Sequence, residues 1–447
     1  MECFIKEVFG GKGEKAHKYF VRFSKGRFEN RAILNLQKTA KVKLKGSFEW
    51  ANDFVDIASE LDGNLKFSGI ILSKQEIQEA YTKVDANYVK ALEQSINNIT
   101  LVCKQQIRDI KNTVIETQPG VRVWQKWNPI EKVGLYVPGG RALYPSSVLM
   151  NAIPAKVAGC KQISLTTPPQ KNGNIAPEIL VAADRLGINK IFKIGGAQAI
   201  ASLVYGTETV PKVYKIVGPG NAYVATAKLY GLMSGEISID SPAGPSEVFI
   251  IADETADPKF IAADLMADAE HGPDGASVLI STSKKLIEKV VEEIENKAKQ
   301  FKTQNNITNS IENYGLFAIA KSTDEAIAFA NEYAPEHIQI MTKNALIVAD
   351  KIYNAGSVFV GNYTCKSAGD YASGANHVLP TGGSAKTFSG LSVFDFMKRI
   401  EYQQCSKQGL DRLRNTINTF ADVEGLPAHK YSCGVRFNNN KTYEKFS

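Results

Sequence analysis

The chain has 447 residues, 44% hydrophobic and 22% charged, an ordinary globular balance with length for about three domains, or two with excursions. No apolar run approaches the roughly 20 residues of a membrane span, and the start lacks a signal peptide's apolar region, so an intracellular, cytoplasmic protein is expected. Six scattered cysteines without a C-x-x-C pair argue against a thiolate metal cluster and a disulfide framework, and favour histidines and carboxylates as the donors to any metal.

Charge is unevenly spread. Residues 1–50 hold 12 Lys and Arg against 5 Asp and Glu, the whole of the chain's net +7. Within residues 1–72, Tyr19–Phe23 and Lys41–Lys45 look strand-like, with Ser24–Arg27 as a turn. Basic residues interleaved with aromatics can bind single-stranded nucleic acid, but such runs usually only face water. His17 has no evident partner there and reads as structural.

Residues 73–130 form a lead-in. Ser73-Lys74-Gln75-Glu76 is a capping box opening a helix. A second helix follows Asp85, with Tyr88, Leu92, Ile96, Ile99 and Val102 on one face. Val121–Trp127 alternates as a hairpin arm. From Val133 the pattern becomes strand, glycine turn, helix, repeated. Val133–Val137 runs into Pro138-Gly139-Gly140, Ile191–Ile194 into Gly195-Gly196-Ala197-Gln198, and Val213–Val217 into Gly218-Pro219-Gly220-Asn221. This predicts an α/β fold with a parallel, doubly covered sheet over 131–240, ligands binding at the strands' carboxyl ends. The G-x-G-x-x-G fingerprint is absent. Across 241–385 a second series runs through strands at Val248–Ile251, Val278–Ser281, Leu316–Ala320, Ile338–Met341 and Ser357–Val360. The helix from Lys284 to Phe301 carries a core stripe of Leu286, Val290, Ile294 and Phe301. Residues 386–447 are expected to be largely helical.

The stretch D-L-M-A-D-A-E-H-G, residues 264–272, holds the most informative pair. If it is helical, Asp268 and His271 share one face, half of a tetrahedral zinc site. Standing alone, such a pair usually does no more than solvate a helix and hydrogen-bond a turn. The five histidines sharpen the picture. His271, His337, His377 and His429 each lie within seven residues of a carboxylate, His337 directly after Glu336. Such pairs bind zinc, or one partner tunes the other's proton affinity.

The segments Y-V-P-G-G, G-G-A-Q-A-I, G-P-G-N-A-Y-V, P-A-G-P-S-E-V, A-E-H-G-P-D, Y-A-P-E-H, G-D-Y-A-S-G-A-N-H-V-L-P-T and E-G-L-P-A-H occur in this order from about Ser73 to about Phe437. Together they resemble histidinol dehydrogenase over roughly four fifths of the chain. The first ~70 residues do not resemble that family's helical start. The resemblance implies a zinc (Zn2+) enzyme that oxidises L-histidinol to L-histidine with two NAD+ through histidinal. It implies a homodimer of chains with two Rossmann-like domains and swapped smaller segments. Carried across, the zinc ligands are Asp268, His271, Asp370 and His429, the last from the partner subunit. Glu336 and His337 become the acid–base pair. Ser246, His377 and Glu424 become substrate contacts, and Tyr136, Gln198 and Asn221 NAD contacts.

One departure stands out. The family normally has glutamine where this chain has Asp268, and Cys365-Lys366 is also unlike the usual sequence. A carboxylate at 268 would lower a metal's Lewis acidity and favour another divalent ion, while Lys366 would offset its charge. Two other readings stay open: a family relative that oxidises a different small polar alcohol, and a nucleic-acid-binding protein acting through its basic start.

Overall fold

The computed structural model describes residues 2–3, 72–139, 143–241 and 244–437. The strands expected at Tyr19–Phe23 and Lys41–Lys45, the turn at 24–27 and His17 lie outside these residues. Two compact units emerge, one of residues 1–107 and 130–396, the other of 108–129 and 397–447.

The first unit begins with the short strand β1 (Glu2–Cys3) and the helices α1 (Lys74–Tyr81) and α2 (Ala86–Arg108). The capping box forms: Glu76 N–H donates to the Ser73 hydroxyl, and Ser73 N–H donates to the Glu76 carboxylate at 2.9 Å. The hairpin β2 (Ile115–Gln118) and β3 (Val121–Pro129) follows. It belongs to the second unit, so the lead-in is divided between the two.

A first sheet gathers β4 (Lys132–Tyr136), β5 (Gln162–Thr166), β6 (Lys190–Phe192), β7 (Lys215–Val217) and β8 (Ser238–Ile239). They pair in parallel in the order β6-β5-β4-β7-β8. The helices α3 (Pro145–Ala158), α4 (Pro177–Arg185), α5 (Gly196–Tyr205) and α6 (Ala222–Met233) alternate with the strands. On one face Ile200, Leu203 and Val204 of α5 pack with Ile216 and Val224 into a core. The order reverses between β4 and β7, which opens a crevice at their carboxyl ends, where such sheets bind ligands.

A second sheet repeats this winding. It contains β9 (Glu247–Ala252), β10 (Ala276–Ser281), β11 (Leu316–Ile319), β12 (His337–Met341) and β13 (Ser357–Val360), ordered β1-β11-β10-β9-β12-β13 and parallel except for β1. The helices between are α7 (Pro258–Ala269), α8 (Lys284–Ala298), α9 (Gln304–Tyr314), α10 (Thr323–Tyr333), α11 (Ala345–Ala349) and α12 (Lys366–Tyr371). Strands β9, β10 and β12 are buried along their whole length, as expected of a parallel sheet covered on both faces. Successive residues serve opposite cores: Val248 and Ile250 one, Phe249 and Ile251 the other. The α8 stripe holds for Leu286, Val290 and Ile294, but Phe301 is exposed because the helix ends at Ala298.

The second unit pairs β14 (Met397–Cys405) with β3 along nine residue pairs. It ends in α13 (Lys407–Val423) and α14 (Pro427–Gly434). The largely helical reading of the C-terminal region is corrected here. Nearly all of β14 is exposed or half-buried, so no alternation of apolar residues marks it.

Candidate active site

The second sheet reverses between β9 and β12, and the candidate catalytic residues sit at the amino ends of those strands. His337 is the first residue of β12 and pairs with Val248 of β9. Ala334, the one described non-glycine residue with positive φ (55°), ends α10 and turns the chain into Pro335-Glu336-His337. That left-handed residue is completely buried, so packing holds the turn.

Glu336 and His337 are locked to β9. The Glu336 carboxylate accepts the Glu247 N–H at 2.9 Å, and His337 Nδ1–H donates to the Glu247 carbonyl at 3.1 Å. A carbonyl only accepts, so the neutral imidazole carries its lone pair on Nε2. Among the described residues, buried Nε2 has no hydrogen-bond partner, and it lies 3.8 Å from Asp370 Oδ1. Burial alone lowers the basicity of His337. The Glu336 carboxylate, 3.4 Å from Nδ1, with help from Asp268, outweighs burial and holds the pKa above the usual histidine value.

Glu247, which the sequence reading did not single out, faces Glu336. Its carboxyl accepts the Gly382 N–H at 3.0 Å. Burial first, then the Glu336 carboxylate, pushes its pKa up to about 8. The folded chain therefore holds this proton more tightly than the unfolded chain, and stability falls as pH rises from the ordinary carboxyl range through about 8. Glu247→Gln removes the titrating group. Its thermal-stability deficit relative to wild type is expected to narrow between pH 6 and pH 9. A constant deficit across that range, measured by scanning calorimetry, contradicts the assignment.

Asp268 lies in the last turn of α7, which stops at Ala269 with Glu270 as its cap. His271 is therefore not on the helical face expected above, since Gly272-Pro273 cannot continue the helix. The two residues still meet, through the backbone: His271 Nδ1–H donates to the Asp268 carbonyl at 3.1 Å. His377 repeats the arrangement, donating from Nδ1 to the Asp370 carbonyl at 3.0 Å, with Ser147 Oγ 3.4 Å from its Nε2. Burial pushes His377 down to about 4 and keeps it neutral. Ser246 is half-buried, one residue ahead of Glu247. Glu424 and His429 belong to the second unit, where both are exposed.

Between Asp268 and Asp370 lies Lys366. Its Nζ is 3.2 Å from Asp268 Oδ1 and 3.0 Å from Asp370 Oδ2. Asp268 is 0% exposed and Lys366 3%. Burial works against the ammonium charge, but Asp268 and Asp370 outweigh it and keep Lys366 protonated. The same ammonium, with His337, offsets burial at Asp370 and holds that carboxyl below its usual range. The donor types at 268, 271 and 370 suit a divalent ion, and the His271 tautomer leaves Nε2 for one. The charge does not. An ion bonded to both carboxylates would share their space with a buried ammonium. Among the described residues, no three His, Cys, Asp or Glu side chains are placed to hold a metal.

The NAD candidates line the first sheet's crevice. Tyr136 ends β4, and its hydroxyl accepts the Gly196 N–H at 3.1 Å. Gln198 lies in the first turn of α5. Asn221 caps α6, its carbonyl oxygen accepting the Tyr223 and Val224 N–H groups. Gly218, at φ +119°, is so close to Tyr136 that a Cβ there would fall 2.0 Å from the Tyr136 carbonyl oxygen. Only glycine lets the backbone close this crevice. Lys228 ties it from below, donating to the Gly218 carbonyl at 3.0 Å and pairing with Asp240, whose carboxylate accepts the Gly218 N–H at 2.8 Å.

Two parallel sheets of one winding, a glycine-lined crevice and a buried imidazole–carboxylate pair define an α/β enzyme of the dehydrogenase kind. A family model described as histidinol dehydrogenase matches residues 41–437. Histidinol dehydrogenase of Clostridium acetobutylicum is 43% identical over 441 residues, 98% of this chain and 100% of the relative. That of Bacteroides thetaiotaomicron is 48% identical over 375 residues, covering 84% and 86%. The crystal structure of histidinol dehydrogenase from Elizabethkingia anophelis superposes with a TM-score of 0.84 at 39% identity, covering 92% of each chain. The chain belongs to the histidinol dehydrogenase family. The Clostridium alignment takes in nearly all of the basic N-terminal segment, so that segment is shared with a relative. No described helix is long and apolar enough to cross a membrane.

Proposed function

We propose that the chain is a cytoplasmic, homodimeric NAD-dependent dehydrogenase that oxidises L-histidinol to L-histidine through histidinal. The observation that carries this reading is the buried pair at the head of β12, where Nε2 of His337 lacks a partner while Nδ1 is committed to Glu247. His337 Nε2 takes the hydroxyl proton of the alcohol, and the adjacent Glu336 carboxylate stabilises the imidazolium that forms. Glu336 then activates the water that adds to the aldehyde, and His337 takes the hydrate's proton at the second oxidation.

NAD+, when bound, supplies the hydride acceptor, one per step. The crevice fits a dinucleotide: glycine brings backbone close, and the first turns of α5 and α6 open onto it. Tyr136, Gln198 and Asn221 are the residues proposed to hold it. Ser246, Asp370 and His377 are proposed to orient the substrate. Asp268, His271, Asp370 and His429 are the set the family resemblance assigns to zinc. With Lys366 protonated between two of them the set does not fit, and the steps above run on the chain's own groups.

The test is NADH formation with histidinol, counted per substrate consumed. Two NADH per histidinol are expected, and faster turnover of other small polar alcohols would favour the alternative substrate. Glu424 and His429 are proposed to complete the site of the partner copy. Co-expressed His337→Ala and Glu424→Gln chains should then form mixed dimers with one intact site, regaining activity that neither variant has alone. Mixed dimers as inactive as their parents would contradict shared sites. The nucleic-acid alternative rests on a segment that lies almost wholly outside the described residues.

A further inference from the structure

We propose that the Lys366 ammonium is the resident cation of this site, standing where a divalent metal ion would be held, so that the chain works without one. The inference rests on the oxidation proposed above for the same site. Its basis is placement. Lys366 is the first residue of α12, and Asp370 lies one turn further on the same face. The Lys366 N–H donates to Asp264 Oδ1 at 3.1 Å, which pins the start of α12 to α7, the helix that carries Asp268 in its last turn. The side chain is thereby delivered between two buried carboxylates, 3.2 Å from one and 3.0 Å from the other.

Charge supports the same reading. The Asp268, Asp370 and Glu336 carboxylates outnumber the single Lys366 ammonium, so the cluster stays negative and suits a substrate bearing a cationic amine. A divalent ion bonded to Asp268 and Asp370 would stand against the Lys366 ammonium held between them, two cations packed together in a buried site. Asp268 Oδ1 faces the Lys366 ammonium at 3.2 Å, but its buried Oδ2 has no hydrogen-bond partner among the described residues, so a group that donates to it is still wanted. A substrate ammonium meets that need without displacing Lys366.

The experiment equilibrates the full chain with zinc chloride, desalts it, and measures bound metal by mass spectrometry, for wild type, Lys366→Ala and Lys366→Met. Wild type is expected to retain no zinc above the buffer blank. The two variants are expected to gain zinc affinity by about tenfold or more, because the competing charge is gone. A full equivalent of zinc held by wild type through desalting overturns the proposal, as do variants that bind no more than wild type. If the variants do not fold, the wild-type measurement decides alone.

A second readout separates this proposal from the functional one. Histidinol-dependent NADH formation by wild type should survive treatment with a chelator. Activity lost to the chelator and restored by zinc overturns the resident-cation role while upholding histidinol oxidation. No turnover of histidinol under any condition overturns the substrate assignment, and the zinc titration still decides the role of Lys366.

Discussion

Glu336→Gln is expected to yield about one NADH per histidinol, with the aldehyde accumulating. The substituted amide keeps an oxygen to accept the Glu247 N–H, so the local backbone should be retained. What it lacks is a carboxylate to activate water, and the second oxidation should slow by about 10²–10⁴-fold, the usual reach of a positioned general base. The first oxidation should suffer less, because His337 remains to take the hydroxyl proton. The same carboxylate raises the His337 pKa, so its removal should move the acid limb of the first step to lower pH. Trapping the aldehyde while following NADH measures both effects. Two NADH per histidinol at the wild-type rate would remove Glu336 from the hydration step.

The second large effect is expected in the first sheet. Lys228 is 2% exposed and joins Asp240 and the Gly218 carbonyl into one clamp under the crevice proposed to hold the dinucleotide. Lys228→Met leaves Asp240 a buried carboxylate without its counter-charge, a change that costs about 3–5 kcal/mol in comparable pairs. Urea unfolding should show a clear fall in midpoint, and KM for NAD+ should rise, because Gly218 loses one of two tethers. Adding Asp240→Asn should recover much of the stability by removing the stranded charge. A single variant as stable as wild type, with unchanged KM, would show that the clamp has no such role.

Legibility in the sequence followed physical marking. Strands buried on both faces, such as Phe249–Ile251 and Leu279–Ile280, carried unbroken apolar runs and could be read directly. The glycine turns after β4 and β7 could also be read, because a tight backbone approach leaves a compositional trace. β14 left none, since its partner β3 is remote in sequence and neither strand has a wholly apolar face. The site residues nominated in the first unit converge, apart from the NAD set, around β9, β12, α7 and α12. Glu247 was missed although it heads the apolar run V-F-I-I-A; a carboxyl there is the only hint a sequence offers of a buried acid. Lys366 was legible as a charge balance for Asp268. Its insertion between Asp268 and Asp370 depended on α7 and α12 meeting, which no local pattern encodes.

The identical winding of the two sheets conceals an asymmetry with practical use. In the second sheet the proposed acid–base pair occupies the amino ends of the strands, so the loops at the opposite ends, around 253–257, 282–283 and 320–322, lie away from it. Those loops should accept inserted affinity handles, fluorophore attachment or new chain termini at little cost to turnover. Equivalent alterations at 270–275 or 334–336 would fall on His271 or on Glu336 and the residues beside the proposed acid–base pair.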